Sequence, residues 1–253
     1  MISKQKIKDV AALQQKKFRK QEGLFVAEGR KLIHAIVDST LTTLEVFYTS
    51  DYPAPDLLHL KQKGIHCELV TEKEMERISG FATPSDVLAV CAIPSEKEFK
   101  SESKIILVLD GIRDPGNLGT LIRLAAWFGI DFIICSDDTA EFTNPKCVQA
   151  TMGAFTAVNI IYKNLPEFLS LSSASIYVAS MEGESIYSLQ PDFPCFIVIG
   201  SESHGVSDEV VKLCKNKISI PYSGHTELAP ESLNAAMAAS IICSEFTRKI
   251  HYA

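Results

Sequence analysis

The sequence predicts an α/β protein of two parts, the larger of which has a mainly parallel sheet with helices on both faces. Six short β-branched runs follow residue 104, and helical segments lie between most of them. The stretch PSEKEFKSESK, residues 94–104, is charged and serine-rich and interrupts two regions of apolar periodicity. We therefore predict a small N-terminal α/β domain over residues 1–94, a linker over 95–104 and the larger domain over 105–253.

In the N-terminal part, predicted strands alternate with predicted helices, which is typical of a small α/β domain. The elements are, in order, a helix through LQQKKFRK, a strand GLFVAEG, a helix RKLIHAIVDS, a strand LEVFYTS, a helix DLLHLKQKG, and short strands near HCELV and DVLAVCA.

The larger part has the six predicted strands KIILVLD, DFIICSD, TAVNIIY, SIYVAS, FIVIGSE and KISIPY. Parallel sheets bind ligands beyond the carboxyl ends of their strands. The loops to inspect for a site are therefore those after Asp110, Ser180, Ile199 and Ile220.

Composition excludes several classes of protein. Of the 253 residues, 46% are hydrophobic and 22% are charged, as in globular rather than disordered chains. The start, MISKQKIKDV, lacks a secretory pattern, and no apolar stretch approaches the ~18 residues of a membrane helix, so we expect a cytoplasmic protein. The seven cysteines stand singly, which predicts reduced, mostly buried thiols and no metal site; a nucleophilic cysteine is the alternative.

Charge is distributed unevenly along the chain. The net charge is −6, yet residues 1–31 contain nine Lys and Arg against three acidic residues. Such a basic segment suits an anionic partner such as RNA, and a solvated amphipathic helix explains the charge equally well. The candidate RNA-binding residues are Lys16, Lys17, Arg19, Lys20 and Arg30.

The loop after the first strand of the larger domain is followed by DPGNLGTLIRLAAWFGI, residues 114–130. It has Asn117 at the predicted helix start and Arg123 six residues later in an otherwise almost entirely apolar helix. Its glycines match neither GxGxxG nor a P-loop. The sequence therefore lacks the fingerprint expected of a nucleotide-dependent oxidoreductase.

Two later loops contain small and polar residues. IGSESHGVS, residues 199–207, places Gly200 and Gly205 on either side of Glu202. IPYSGHTELAPESLNAAMAAS, residues 220–240, leads into a helix whose predicted first turn has Ser232 and Asn234. Glycines let a backbone approach a flat ligand and a helix N-terminus offers free N–H groups, so these loops predict a pocket with few charges.

Taken together, these residues resemble the SpoU/TrmH family of RNA ribose 2′-O-methyltransferases, in the SPOUT class. Asn117 and Arg123 match the first family motif, and Gly200, Glu202 and Gly205 match the second. Ile220-Pro221 with Ser232-Leu233-Asn234 matches the third. The segment KKFRKQEGLFVAEGRKLI resembles the family's substrate-binding domain, so the resemblance covers nearly the whole chain.

The resemblance implies S-adenosylmethionine as cofactor, a deep trefoil knot near the C-terminus, an RNA substrate, most often large-subunit rRNA, and a homodimer. The helix predicted over residues 232–249 would supply the dimer surface through small residues and Ile241, Ile242 and Phe246. The implied catalytic residues are Asn117, Arg123, Glu202, Ser232 and Asn234, and the implied cofactor-binding residues are Ala179, Ser180, Gly200, Glu202, Gly205, Ile220, Ser232 and Leu233.

Several alternatives stay open at this level. Asn117 fits an ordinary helix cap, Ser232 likewise, and Arg123 fits a side chain that reaches water from an apolar helix. Arg123 is either a general base or an electrostatic anchor, and guanidinium chemistry favours the anchor. His204 and His225 lie in the motif loops without an assigned role. A tRNA methyltransferase and a catalytically silent RNA-binding relative are the competing functions.

The sequence also departs from the family pattern. GHTELAPE lies between the two halves of the third motif, and Thr156 stands where many members have arginine. Ser85 and Asp86 replace a common Gln-Gly. We expect these differences to affect the choice of substrate more than methyl transfer.

Overall fold

The protein, described here by a computed structural model, is defined over residues 2–100, 102–224 and 232–252. It divides into two compact units. The first comprises Met1–Ser95 with Glu141–Thr156, and the second comprises Glu96–Ala140 with Ala157–Ala253. The short second segment of the first unit lies within the predicted larger domain. The boundaries at residues 94 and 105 therefore stay a prediction.

The first unit has five helices before residue 95, α1 (Lys4–Ala12), α2 (Lys16–Glu22), α3 (Arg30–Val37), α4 (Ala54–Gln62) and α5 (Glu72–Ile78). Its strands are β1 (Leu24–Glu28), β2 (Thr43–Tyr48), β3 (His66–Leu69) and β4 (Val87–Ala92). They form a sheet in the order β1-β4-β2-β3, with β4 antiparallel to both neighbours and β3 parallel to β2. Apolar residues of α1, α5 and the sheet, among them Val10, Met75 and Phe47, form its core.

The helix predicted through LQQKKFRK is present only from Lys16 onward, as α2, because residues 13–15 form a turn between α1 and α2. The Arg19 guanidinium donates through Nη1 to the carbonyl oxygens of Leu13, at 3.1 Å, and Gln14, at 2.9 Å. These bonds satisfy carbonyl groups that a helix end leaves without helical partners. Helix α5 was not predicted, although Thr71 and Glu74 form a capping box that the sequence displays.

The second unit contains β5 (Ile105–Asp110), α6 (Pro115–Trp127) and β6 (Phe132–Cys135); α7 (Pro145–Thr151), which comes next, belongs to the first unit. The chain continues through β7 (Asn159–Tyr162), α8 (Leu165–Ser170), β8 (Ser175–Ser185), β9 (Cys195–Gly200), α9 (Asp208–Leu213), β10 (Asn216–Ser219) and α10 (Ala235–His251). All six predicted strands are therefore present.

These six strands form one sheet in the order β10-β8-β9-β5-β6-β7, and every neighbouring pair is parallel. Leu165, Leu169 and Val210 from α8 and α9 pack on one face, against Val108 and Phe196. Helices α6 and α10 pack together on the strands from the other side. This confirms the predicted sheet with helices on both faces. The trefoil knot stays a prediction, since residues 225–231, which join β10 to α10, lie outside the described ranges.

All seven cysteines are reduced thiols, and five of them are buried. Burial raises the pKa of Cys91, Cys195 and Cys243 to about 12. Because the thiolate is the reactive form, these three are inert at neutral pH.

Over the described residues no group of His, Cys, Asp and Glu side chains is arranged to hold a metal ion, and no helix has both the length and the apolar character that crossing a bilayer requires.

Candidate active site

Helix α6 begins directly after the loop that follows β5. Asp114 is its N-cap, since the Asp114 carboxylate accepts the backbone N–H of Asn117 at 2.9 Å, and Pro115 takes the first helical position. The interpretation of Asn117 as the helix cap is therefore wrong. Asn117 lies in the first turn with its side chain available for other contacts.

The three motifs meet in one hydrogen-bonded cluster. Asn117 Nδ2 donates to Glu202 Oε1 at 3.0 Å, and Asn234 Nδ2 donates to Asn117 Oδ1 at 3.1 Å. Asn234 Nδ2 also contacts Glu202 Oε1, and the backbone N–H of Ala235 donates to the same oxygen at 3.3 Å. Three residues that are distant in sequence, and that the family motifs singled out, are thus direct partners.

Sheet topology explains how the first two motifs come together. Strands β5 and β9 are neighbours, and their register places Asp110 beside Gly200 at the carboxyl edge. The Asp110 carboxylate accepts the backbone N–H of Ser207 at 2.8 Å, which ties the loop after β9 to the end of β5. Ser201 and Gly205 exchange two backbone hydrogen bonds, of 3.0 and 2.9 Å, and so close a tight turn around Glu202.

A buried hydroxyl cluster at the end of β5 was not predicted from sequence. Ser136 Oγ accepts the N–H of Gly111 at 2.9 Å and donates to Asp138 at 2.7 Å. Thr139 Oγ1 lies 2.9 Å from Ser136 Oγ and donates to the Leu109 carbonyl at 3.2 Å. The cluster fixes the turn between β5 and α6. The feature of the sequence that could have indicated this cluster is that Ser136 directly follows a strand of the parallel sheet.

Helix α10 begins at Ala235, three residues later than the predicted Ser232. Asn234 is its cap, accepting the N–H groups of Ala236 at 3.0 Å and Met237 at 3.3 Å. The interpretation of Ser232 as the cap is therefore wrong, and Ser232 is exposed outside the cluster. Asn234 uses its oxygen for the helix and its nitrogen for Asn117 and Glu202, so both ends of the amide are fixed.

Arg123 lies apart from this cluster. It is exposed on α6, six residues and about 9 Å of helical rise beyond Asn117. Within the described part of the chain its guanidinium has no hydrogen-bond or ion-pair partner, which fits a side chain that reaches water. A free guanidinium at this position is also available to an anionic group of a substrate.

Four of the predicted cofactor residues lie in or directly after three adjacent strands, namely Ala179, Ser180, Gly200 and Ile220. The β8–β10 register shifts by several residues between Lys217 and Ile218, where Val178 and then Glu184 are the partners. Ala179 and Ser180 lie in the segment of β8 that is skipped, while Gly200 ends β9 and Ile220 follows β10. Three large side chains close in sequence to the predicted cofactor residues are exposed, namely Met181, Tyr222 and Leu233.

The exposed apolar side chains near these residues fit the flat adenine ring of the implied cofactor. An alanine Cβ at Gly200 would lie 2.1 Å from the Gly205 carbonyl carbon, and one at Gly183 would lie 2.6 Å from the Lys217 carbonyl carbon, so both backbones pack without room for side chains. A lining of apolar side chains with a few polar groups is typical of cofactor sites. His204 is exposed and contacts Ser203 Oγ through Nδ1 at 2.7 Å, while His225 lies outside the described residues.

Most of the predicted RNA-binding cations have internal partners. Arg19 is only 2% exposed and is bonded to Glu141 at 2.8 Å, so its assignment as an RNA contact is corrected. Lys16 and Lys20 are exposed and lie 3.4 and 3.8 Å from the same carboxylate. The remaining two are Arg30, which donates to Asp86 at 2.7 Å, and Lys17, which lies 6.0 Å from the ring centre of Phe18.

Removing the cap of α6 is expected to weaken both the fold and the cluster. We expect Asp114→Ala to lower the free energy of unfolding by about 1 kcal/mol, because the N–H of Asn117 loses its acceptor. The methyl transfer that the family resemblance implies should fall further than this loss explains, since the first turn positions Asn117. Chemical denaturation and transfer assays measure the two effects, and Asn164→Ala, which removes the cap of the distant α8, is the matched control.

Comparison with known proteins identifies the family. Residues 104–244 match the model of the SpoU rRNA methylase family, and residues 4–89 match that of the MRM3-like substrate binding domain. The chain belongs to the SpoU family. The predicted resemblance is thereby confirmed, and with it the class of activity, RNA methylation.

Individual relatives agree with this membership. The chain is 29% identical to the 23S rRNA (guanosine(2553)-2′-O)-methyltransferase RlmP of Bacillus subtilis over 94% of each chain. A solved structure from Porphyromonas gingivalis, assigned to the TrmH family of RNA methyltransferases, is 33% identical with a TM-score of 0.85 and covers 98% of this chain and 99% of its own. The AdoMet-bound rRNA methyltransferase of Sinorhizobium meliloti is 25% identical with a TM-score of 0.85, over 100% and 98%.

Proposed function

We propose that the chain transfers a methyl group from S-adenosylmethionine to a ribose 2′-hydroxyl of large-subunit ribosomal RNA. The proposal rests on the cluster of Asn117, Glu202 and Asn234, which joins the three family motifs at the carboxyl edge of a parallel sheet. The names of the relatives support the 2′-hydroxyl, the ribosomal substrate and the cofactor. Methylation of a tRNA is the alternative substrate, and a silent RNA-binding protein is the alternative function.

The cofactor supplies a methyl group on a positively charged sulfur. We propose that the loops at Ala179-Ser180, Gly200 to Gly205, Ile220 and Ser232-Leu233 hold it, mainly through backbone groups. The exposed Met181 and Tyr222 support this placement, because they offer apolar contact, and the absence of a side chain at Gly200 and Gly183 allows the backbone segments to pack closely.

In the transfer, the bond from the methyl carbon to sulfur breaks, a bond to the ribose oxygen forms, and the hydroxyl proton leaves to solvent. The protein has to align the hydroxyl and stabilise its growing negative charge. Arg123 suits the second task, since a guanidinium stays protonated and has no acceptor for a proton. It would bind the ribose oxygen or a neighbouring phosphate.

Glu202 acts, in this proposal, as a positioning residue. Its Oε1 already accepts N–H groups from Asn117, Asn234 and Ala235. One oxygen with three donors fixes two amide side chains at once. Asn117 would then present its second amide hydrogen to the ribose in one orientation, held in place by Glu202 and Asn234.

RNA phosphates would be bound by the exposed cations of the first unit, Lys16, Lys17, Lys20 and Arg30. These side chains reach solvent, whereas Arg19 does not. Because ribosomal RNA is the proposed substrate, we also propose a cytoplasmic location.

We also propose a homodimer, but with an interface different from the one predicted from the sequence. Ile242 and Phe246 are 1% and 0% exposed within the chain itself, so their assignment to a dimer interface is corrected. Trp127 on α6, at 85% exposure, and Met237 on α10, at 58%, offer apolar surface instead, and these two helices pack together. We expect a dimer by sedimentation at micromolar concentration, and a monomer would contradict this part.

The deciding experiment maps 2′-O-methylation in rRNA and tRNA from cells with and without the gene. We expect one large-subunit rRNA site to disappear, and purified protein with labelled S-adenosylmethionine to restore it. Loss of a tRNA site instead would support the alternative substrate. RNA binding with neither cofactor binding nor methyl incorporation would support the silent relative.

A further inference from the structure

Glu141 is surrounded by three cations of α2, within the first unit. Its Oε2 lies 2.8 Å from Arg19 Nη2, and its Oε1 lies 3.4 Å from Lys16 Nζ and 3.8 Å from Lys20 Nζ. Lys16 and Lys20 are four residues apart and therefore lie on the same face of the helix. One carboxylate thus faces three positive charges, which leaves the group with a net charge of about +2.

The three cations differ in how firmly they are held. Arg19 is buried and also donates to two backbone carbonyls, so its pairing with Glu141 compensates a charge that water does not reach. The side chains of Lys16 and Lys20 are 60% and 67% exposed. Exposed pairs of this kind contribute at most about 1 kcal/mol, so each ammonium can exchange Glu141 for another anion.

We propose that Glu141 competes with an RNA phosphate for Lys16 and Lys20 and so limits the affinity of the first unit for RNA. The inference rests on the proposed function, since it assumes an RNA substrate. A phosphodiester presents singly charged oxygens much like a carboxylate, and it bridges two ammonium groups in the same way. Arg19 explains why a carboxylate stands at this place, because the buried guanidinium requires one.

The test is Glu141→Gln in the full chain. Glutamine keeps the side-chain shape and an oxygen for Arg19 Nη2 but removes the charge that attracts the lysines. We expect the variant to bind a fluorescein-labelled RNA hairpin about three- to tenfold more tightly near 0.1 M salt. The slope of log affinity against log salt should steepen by about 0.7 to 0.9 for each lysine released. Fluorescence anisotropy measures both quantities.

Glu76→Gln is the matched control. Glu76 is an exposed glutamate on α5 of the same unit, and across the described ranges it has no ion-pair partner. The substitution changes the net charge by the same amount, so a general electrostatic effect would act equally on both variants. We expect its effect on RNA affinity to be less than twofold, because Glu76 is not paired with Lys16 or Lys20 in the described residues and salt screens its exposed charge.

A second comparison locates the gain. In a protein with Lys16→Ala and Lys20→Ala, adding Glu141→Gln should no longer tighten binding, because the two competing sites are gone. Should melting curves reveal that Glu141→Gln is unfolded, Glu141→Asp replaces it. That variant withdraws the carboxylate from the lysines by one methylene, and tighter binding is again expected.

Three results would overturn the inference: equal or weaker RNA binding by Glu141→Gln, an equal gain with Glu76→Gln, or a gain that survives removal of both lysines. Failure of the unaltered protein to bind RNA at all would instead overturn the proposed function, and the inference with it. The two failures are therefore distinguishable.

Discussion

Replacing Gly200 by alanine is expected to abolish cofactor binding and methyl transfer. The added Cβ would lie 2.1 Å from the carbonyl carbon and 2.2 Å from the carbonyl oxygen of Gly205, and 2.3 Å from the backbone nitrogen of Val206. All three are backbone atoms of the turn around Glu202, so no side chain can move aside. We expect the turn to open, Glu202 to leave Asn117 and Asn234, and the fold to lose about 1–3 kcal/mol.

Gly129→Ala is the control for this prediction. Gly129 follows α6 in the left-handed region, at φ +67°, and an added Cβ there meets nothing within 4 Å. The cost should be limited to about 1–2 kcal/mol of backbone strain, with methyl transfer unchanged. Calorimetric titration with S-adenosylmethionine and thermal melting compare the two variants. Cofactor affinity of Gly200→Ala within twofold of the unaltered protein would contradict the prediction.

Arg123→Ala is expected to reduce methyl transfer by about 10² to 10³, with cofactor affinity unchanged. The physical reason is that Arg123 is exposed and without an internal partner among the described residues, so its loss removes a charge that faces substrate rather than one that supports the fold. Single-turnover transfer and cofactor titration separate the two effects. Arg248→Ala, which removes an exposed arginine paired with Glu245 near the end of α10, is the control.

Arg123→Lys distinguishes an anchor from a base. A lysine that acts as base must lose its proton, so the rate would rise about tenfold per pH unit up to its pKa near 10.4. A lysine that acts as anchor has to stay charged, and the rate should be flat from pH 7 to about 9 before it declines. We expect the flat profile. A rise with a slope of one would support the base and contradict the anchor.

Much of the fold could be predicted from the sequence, because its cause is local. All six strands of the parallel sheet are β-branched runs, and the helices between them dictate parallel connections. The errors in the predicted helix starts occurred where two nearby residues can each serve as the N-cap. Asp114 and Asn117 are both good helix caps, as are Ser232 and Asn234, and propensity does not choose between such neighbours. In the structure, the N-cap is Asp114 in α6 and Asn234 in α10, as the geometry of each turn dictates.

The sequence by itself determined the family and the residues of the three motifs, since these depend on residue type and order. Only the tertiary structure decided what each side chain contacts. It buried Arg19 beside Glu141 and buried Ile242 and Phe246 in the core, and it joined Asn117 to Glu202 and Asn234. The physical reason is that a charged residue can pair, and an apolar residue can be buried, equally well within its own chain or against another molecule. Strand order and helix packing determine which of these partners is within reach.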